Sequence, residues 1–180
     1  RDGACTVPMG VEPLHSNVLK QPPRDPKEQI INIPMLKRMA FLTPLMAIGT
    51  LGLFWIAGHS DYARTLGEKA ALTYAQTVAF TTLVAFQWFQ AFNARSEHQS
   101  VFKVGLFSNR WLLVGIGTAI VLQILAVQTD LGNHLFRTTA LSLKDWGLIL
   151  LVSSSIFVVE EIRKIFASIR HKSPAWKAGR

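Results

Sequence analysis

Residues 39–57 read MAFLTPLMAIGTLGLFWIA, an unbroken run without one charged side chain. A bilayer hydrocarbon core of about 30 Å is crossed by about 20 mostly apolar residues in helical conformation, and this run has that length. Outward from it lie three further uncharged stretches, 70–94, 111–129 and 146–159, separated by short segments that hold nearly all the charge. The first three stretches meet the spanning length outright. The fourth is shorter, and it spans if its helix starts near Lys144 and Asp145 or runs on into Glu160 and Glu161 with those charges at the interface. The mean hydropathy of +0.27 therefore averages apolar spans with polar connections. A soluble reading needs four buried helices of near-uniform hydrophobicity in 180 residues, with too little amphipathic sequence left to cover them.

The expected fold is all-α: a multi-pass membrane helix bundle made of the end of one helix plus four transmembrane helices. The expected organisation is a helix end over 1–10, a proline-rich cytoplasmic loop over 11–36, and a bundle over 37–170. Its spans run over about 37–58, 72–94, 110–128 and 144–168, and a basic tail follows over 171–180. Residues 1–10, interrupted by Gly3, Pro8 and Gly10, read as the tail of a helix. Pro13, Pro22, Pro23 and Pro26 stiffen the following segment toward polyproline-like geometry, which suits a strap held against another domain, a solvated loop being the alternative.

A net charge of +8 raises the question of nucleic acid, and the placement of the charge answers it. Lys20, Arg24, Lys27, Lys37 and Arg38 precede the first span. Arg95, Lys103 and Arg110 lie between the second and third, and Arg163, Lys164, Arg170, Lys172, Lys177 and Arg180 follow the fourth. The intervening connections carry only Arg64 with Lys69 and Arg137 with Lys144, balanced by nearby acids. The positive-inside rule then puts both termini and the middle connection in the cytoplasm. No basic stripe with interleaved aromatics is present, so no nucleic-acid partner is expected, and the lipid bilayer is.

Cys5 stands alone, and His15, His59, His98, His134 and His171 are scattered without metal-ligand spacing. Arg1 in place of Met, with no signal-peptide pattern, leads to the expectation of an incomplete N-terminus. Ser108 or Asn109 can cap the third span, and Ser142 with Asp145 has capping-box spacing before the fourth. Ala47, Gly49, Gly52, Gly115 and Gly117 would let helix backbones approach closely. Pro44 is expected to bend the first span. Trp55, Trp88, Trp111 and Trp146, toward span ends, read as headgroup anchors. Glu160 lies three and four residues before Arg163 and Lys164, which predicts an exposed, salt-bridged continuation of the last helix.

Chemistry has to come from polar groups at membrane depth. In the second span Gln76, Gln87 and Gln90, with Thr73 and Thr77 nearby, fall broadly on one helical face. Amide oxygens there can coordinate a dehydrated cation or bond a neighbouring helix, and the residues alone leave the two uses about even. Asp2, beside Gly3 at the end of an apolar segment, is the second candidate: a carboxylate can face a cation where local unwinding frees backbone carbonyls. The same Asp-Gly pair also marks surface turns.

Five segments in order carry a resemblance. Asp2-Gly3 with Val7-Pro8-Met9-Gly10-Val11-Glu12-Pro13 looks like the end of the sixth membrane helix of P-type cation-transporting ATPases, the calcium-pump and sodium/potassium-pump group. Pro22-Pro23-Arg24-Asp25-Pro26-Lys27-Glu28 resembles the cytoplasmic loop that follows it, and residues 92–102 resemble the exit of the eighth helix. Leu141-Ser142-Leu143-Lys144-Asp145-Trp146 and Glu160-Glu161-Ile162-Arg163-Lys164 resemble the two ends of the tenth. The resemblance implies that the spans are helices seven to ten of a ten-helix transport domain. Their partners would be the rest of the pump, helices one to six and the cytoplasmic domains.

It also implies that Asp2 is a ligand of the transported cation, calcium or another. Gln87 would stand where the eighth helix of two-ion calcium pumps has a glutamate, with Gln90 one turn beyond. A neutral amide keeps an oxygen but loses a charge on which hard-cation affinity depends, so one calcium-type site is expected rather than two. Arg1 departs from the small polar residue usual before this aspartate. The chain holds no Asp-Lys-Thr-Gly or Thr-Gly-Glu-Ser motif and no nucleotide-binding segment, so ATP and magnesium would act only through other domains of the parent protein. The expected location is a plasma or inner membrane rather than an organellar one. Two alternatives stay open: a stand-alone four-span protein acting as a pump-derived binding or regulatory partner, and an unrelated helix bundle or small channel.

Overall fold

The computed structural model describes residues 33–93 and 109–171, and these are helical with short connections and no strand. Helix α1 is Ile33–Gly58, α2 Asp61–Thr65, α3 Glu68–Asn93, α4 Arg110–Gln128, α5 Asp130–Phe136 and α6 Leu143–His171. The two short helices α2 and α5 occupy connections that the hydropathy pattern leaves as plain loops.

The starts of α2, α4, α5 and α6 have a visible cause. Asn109 precedes α4 in extended conformation, and its side chain accepts from the Leu112 amide at 3.0 Å. Ahead of α6, Ser142 Oγ accepts from the Asp145 amide at 3.3 Å while Asp145 Oδ2 accepts from the Ser142 amide at 2.9 Å, a reciprocal box that satisfies two otherwise orphaned donors. Ser60 and Thr129 cap α2 and α5 in the same way. The chain turns from α2 into α3 at Gly67, whose φ of +50° costs a glycine nothing. At the far end of α5, Arg137 takes up the left-handed conformation at φ 52°. α1 runs through Pro44 as one continuous helix.

α3 is the central helix. It packs along both α1 and α6, whereas α4 touches it more lightly and is tied chiefly to α5. The core lies on its faces: Tyr74, Ala75, Val78 and Ala85 meet Leu53, Leu112 and Ile149 in one cluster, and Phe86 meets Leu42 and Ile156 in another. The α1–α3–α6 contact is close because Gly49 has no side chain. A Cβ there would lie 2.9 Å from Phe86 Cζ and 3.1 Å from a Val152 methyl. Gly52 and Gly117 have nothing within 4 Å, and what crowds Gly49 is side chain rather than helix backbone, so none of the three shows the close backbone approach expected.

Two helices, Met35–Gly58 and Arg110–Gln128, are long and apolar enough to cross a membrane, and they are not core helices of a soluble domain. Only 17% and 28% of their most apolar windows are buried, and Ile48, Leu51, Trp55, Val114, Val121 and Leu122 stand exposed along them. α3 and α6 are longer still but carry too many polar groups to pass the same test.

Two sequence expectations are corrected. Trp55 is exposed and stacks on His59 at a centroid distance of 4.6 Å, as an anchor would, but Trp88 is only 6% exposed and sits inside the bundle. Glu160 and Lys164 are not a solvated surface either: they are 0% and 1% exposed. The helix does continue beyond the apolar run, but its polar face turns inward onto Arg38 and Asn93.

Candidate functional site

The glutamines of α3 mark the site, and the structure gives them different surroundings. Gln87 is exposed on α3 and has no hydrogen-bond partner among the described residues. It lines a cavity of about 460 Å³ between α3, α4 and α5, together with Val84, Trp88, Leu122, Gln123, Gly132 and Phe136. That size falls in the range of small-ligand pockets, about 300–1,000 Å³. Gln76, eleven residues earlier and so about 16 Å along the axis, lines a second cavity of about 220 Å³ with Thr77, Phe80, Arg137 and Thr138. Phe136 borders both, so the two cavities adjoin along one side of α3. Gln90 is half-buried, and its Oε1 is enclosed without a partner. Asp2 lies outside the described residues.

Sequence reasoning missed two members of this lining. Gln123, the one amide well inside the apolar run of α4, is 4% exposed and donates Nε2 to Thr81 Oγ1 on α3 at 3.1 Å. The available signal was a lone amide in an otherwise apolar span, which a search for clusters passes over. Trp88 is the other: its Nε1 is enclosed with no acceptor among the described residues, a state that costs about 1–3 kcal/mol unless something else supplies one.

Around the cavities, polar bonds fix the frame. Tyr74 Oη donates to Asp145 Oδ1 at 2.7 Å, joining α3 to the start of α6. The Thr139 amide donates to Thr77 Oγ1 at 3.1 Å, and Gln128 Nε2 to the Leu141 carbonyl at 2.8 Å, holding the α5–α6 connection down. Among the described residues no three His, Cys, Asp or Glu side chains come together as a metal site. What this part of the molecule can offer a cation is therefore amide, hydroxyl and main-chain oxygen. Such oxygens suit hard cations, with the charge supplied by a carboxylate from elsewhere.

An all-helical bundle in which two long apolar helices stand exposed beside a covered, more polar central helix fits an integral membrane protein. The chain belongs to the family described as "Cation transporting ATPase, C-terminus", whose model matches residues 1–166. It is 30% identical over 166 residues to the Calcium-transporting ATPase 1 of Saccharomyces cerevisiae, covering 92% of this chain and 17% of that protein. Over 163 residues it is 32% identical to the Calcium-transporting ATPase 1 of Schizosaccharomyces pombe, covering 91% and 17%. The human Calcium-transporting ATPase type 2C member 1 is 31% identical over 171 residues, covering 95% and 18%. The chain thus spans about a sixth of the length of the curated relatives it matches.

Proposed function

We propose that this chain is the ion-translocating C-terminal membrane part of an ATP-driven pump for calcium or a similar cation. α1, α3, α4 and α6 would be four membrane helices, following a helix that ends at residues 1–10. On this reading α3 and α6 span despite their polar content because α1, α4 and each other shield their polar faces from lipid. Both termini and the connection between α3 and α4 lie in the cytoplasm, where the basic residues collect. ATP and magnesium act in domains outside this chain, and the rest of the pump is its partner.

One observation carries the site: Gln87 lines a cavity with an amide that has no partner among the described residues, whereas Gln123 spends its amide on a neighbouring helix. Membrane amides that serve as glue are satisfied, and Gln87 is not. On this reading the Asp2 carboxylate supplies the charge that the amides lack. Gln87 and Gln90 add neutral oxygens. With one carboxylate and a glutamine rather than a glutamate at position 87, a single calcium-type site follows.

The test has two steps. Sequence immediately upstream of Arg1 is expected to continue in frame and to contain Asp-Lys-Thr-Gly. In membranes carrying the whole pump, Asp2→Asn is expected to abolish calcium-stimulated phosphoenzyme formation, and Gln87→Ala to raise the half-saturating calcium. Calcium dependence unchanged by both substitutions would refute the assignment.

A further inference from the structure

Residues from three helices meet at one junction at the end of α3. Asn93 is the last residue of α3, and the last carbonyls of a helix have no intrahelical partner and form the negative end of its dipole. Two cations from two other helices reach the Asn93 carbonyl, Arg38 Nη2 from α1 and Lys164 Nζ from α6, each at 3.5 Å. The Asn93 side chain adds a third tie, donating Nδ2 to the Ile156 carbonyl of α6 at 3.3 Å. The cations are themselves held. Arg38 Nε donates to Glu160 Oε1 at 2.5 Å, the other Glu160 oxygen accepts from Arg163 Nε at 2.7 Å, and Lys164 Nζ donates to Glu161 Oε1 at 3.5 Å.

We infer that Arg38 and Lys164 are positioning residues that clamp the C-terminal turn of α3 and thereby set the height and rotation of Gln90 and Gln87. The inference rests on the reading of Gln87 as a cation ligand. Enclosing ionised side chains is expensive, and apolar residues of similar volume would hold three helices together at least as well, so stability does not account for the cluster. What fixed charges add is a single register. Gln90 and Gln87 lie three and six residues upstream of the clamped carbonyl. A slip of one residue would displace them by about 1.5 Å and turn them by about 100°, taking Gln87 away from the cavity.

The experiment uses the full-length pump carrying this region, in membranes, with calcium as the probe. It reads half-saturating calcium for phosphoenzyme formation and the maximal level per correctly inserted molecule. Lys164→Met is expected to raise half-saturating calcium about tenfold, the usual scale for losing an outer-shell partner, at an unchanged normalised maximum. Lys164→Arg restores most of the affinity. Lys164→Met added to Gln87→Ala gives no further shift, because both act through one ligand. If Lys164→Met fails to insert, Arg38→Gln, which leaves Glu160 paired with Arg163, is read in the same way. A fall in yield or maximal level at unchanged half-saturation, or shifts that add in the double variant, overturns the clamp. A shift with Gln87→Ala alone overturns the clamp and leaves the ligand reading standing. A shift with Lys164→Met but none with Gln87→Ala overturns the ligand reading, and with it the route assigned to the clamp.

Discussion

Gly132 tests whether α5 really presses against the end of α4. It is buried in the first turn of α5, where its amide donates to the capping Thr129 Oγ1 at 3.1 Å. A Cβ added there would lie 2.7 Å from both the Cα and the carbonyl oxygen of Ala126, and nearer still to the Leu125 carbonyl oxygen. All three are backbone atoms of α4, so no rotamer change can make room. Ordinary contact begins near 3.4 Å, and the nearest atom, the Leu125 carbonyl oxygen, therefore forces α5 to retreat by about 1.1 Å. The retreat pulls on bonds that already use those oxygens: Thr129 Oγ1 donates to the Leu125 carbonyl at 2.6 Å and Thr138 Oγ1 to that of Ala126 at 2.7 Å. Overpacking of this kind costs about 1–3 kcal/mol, and a weakened cap adds about 1. Gly132→Ala should thus destabilise by about 2–4 kcal/mol, which in a protein of this size lowers Tm by about 10 °C. Gly117, exposed on α4 with nothing within 4 Å, is the internal control. Gly117→Ala should stabilise by about 0.5–1 kcal/mol through helix propensity alone. Thermal unfolding of the detergent-solubilised protein, followed by tryptophan fluorescence, measures both. Equal Tm values for the two variants would refute the close approach of α5 to α4.

The remaining predictions concern the polar ties. Glu160→Ala takes a buried carboxylate from two partly exposed arginines, Arg38 and Arg163, and should cost about 1.5–3 kcal/mol in the same unfolding assay, while replacing both Arg38 and Glu160 with Met should cost less than that single change. Tyr74→Phe removes the hydroxyl that donates to Asp145 and should cost about 1.5–3 kcal/mol, with Asp145→Asn adding little in the Phe background. Gln123→Leu should cost about 0.6–1.7 kcal/mol, the measured scale of interhelical side-chain bonds in membranes, and Thr81→Val in the same chain should add almost nothing. Asn109→Ala, which leaves the Leu112 amide uncapped, should cost about 1 kcal/mol.

The parts of this fold that sequence reveals are those with local causes. The run at 39–57 and the run at 111–129 announce helices by length and composition alone. The Ser142–Asp145 spacing announces the start of α6, because a capping box is complete within four residues. What stays hidden is decided at a distance. Glu160, Arg163 and Lys164 have the same three- and four-residue spacing whether a helix face meets water or another helix. The residue that decides between these, Arg38, is 122 positions away. Trp88 sits toward the end of an uncharged run, as a headgroup anchor would, and only the packing of α4 and α5 shows that its ring closes a cavity. At the candidate site, sequence pattern put Gln76, Gln87 and Gln90 on one helix face but could not assign each its neighbour, and Gln123 carried no pattern at all.

Hydropathy measures contact with lipid, and that explains why the helices divide as they do. α1 and α4 present apolar side chains outward and pass the test for a membrane-crossing helix, whereas α3, covered by α1 and α6, fails it with Thr77, Thr81, Thr82 and Asn93 buried along its length. A central helix shielded in this way can hold polar groups that would be costly on a lipid face, provided each is satisfied. Thr77 and Thr82 bond the preceding turn of their own helix, and Thr81 accepts from Gln123. In the last turns of α3 Trp88 Nε1, the Gln90 side-chain carbonyl oxygen and Asn93 Oδ1 are enclosed without a partner among the described residues, and Gln87 is open to a cavity. The last turns of α3 thus leave several polar side-chain atoms without a described neighbour, while the Asn93 main-chain carbonyl is reached by two cations. On the proposed reading, oxygens held in register but left unpaired suit a cation-binding face, since interhelical glue would have spent them.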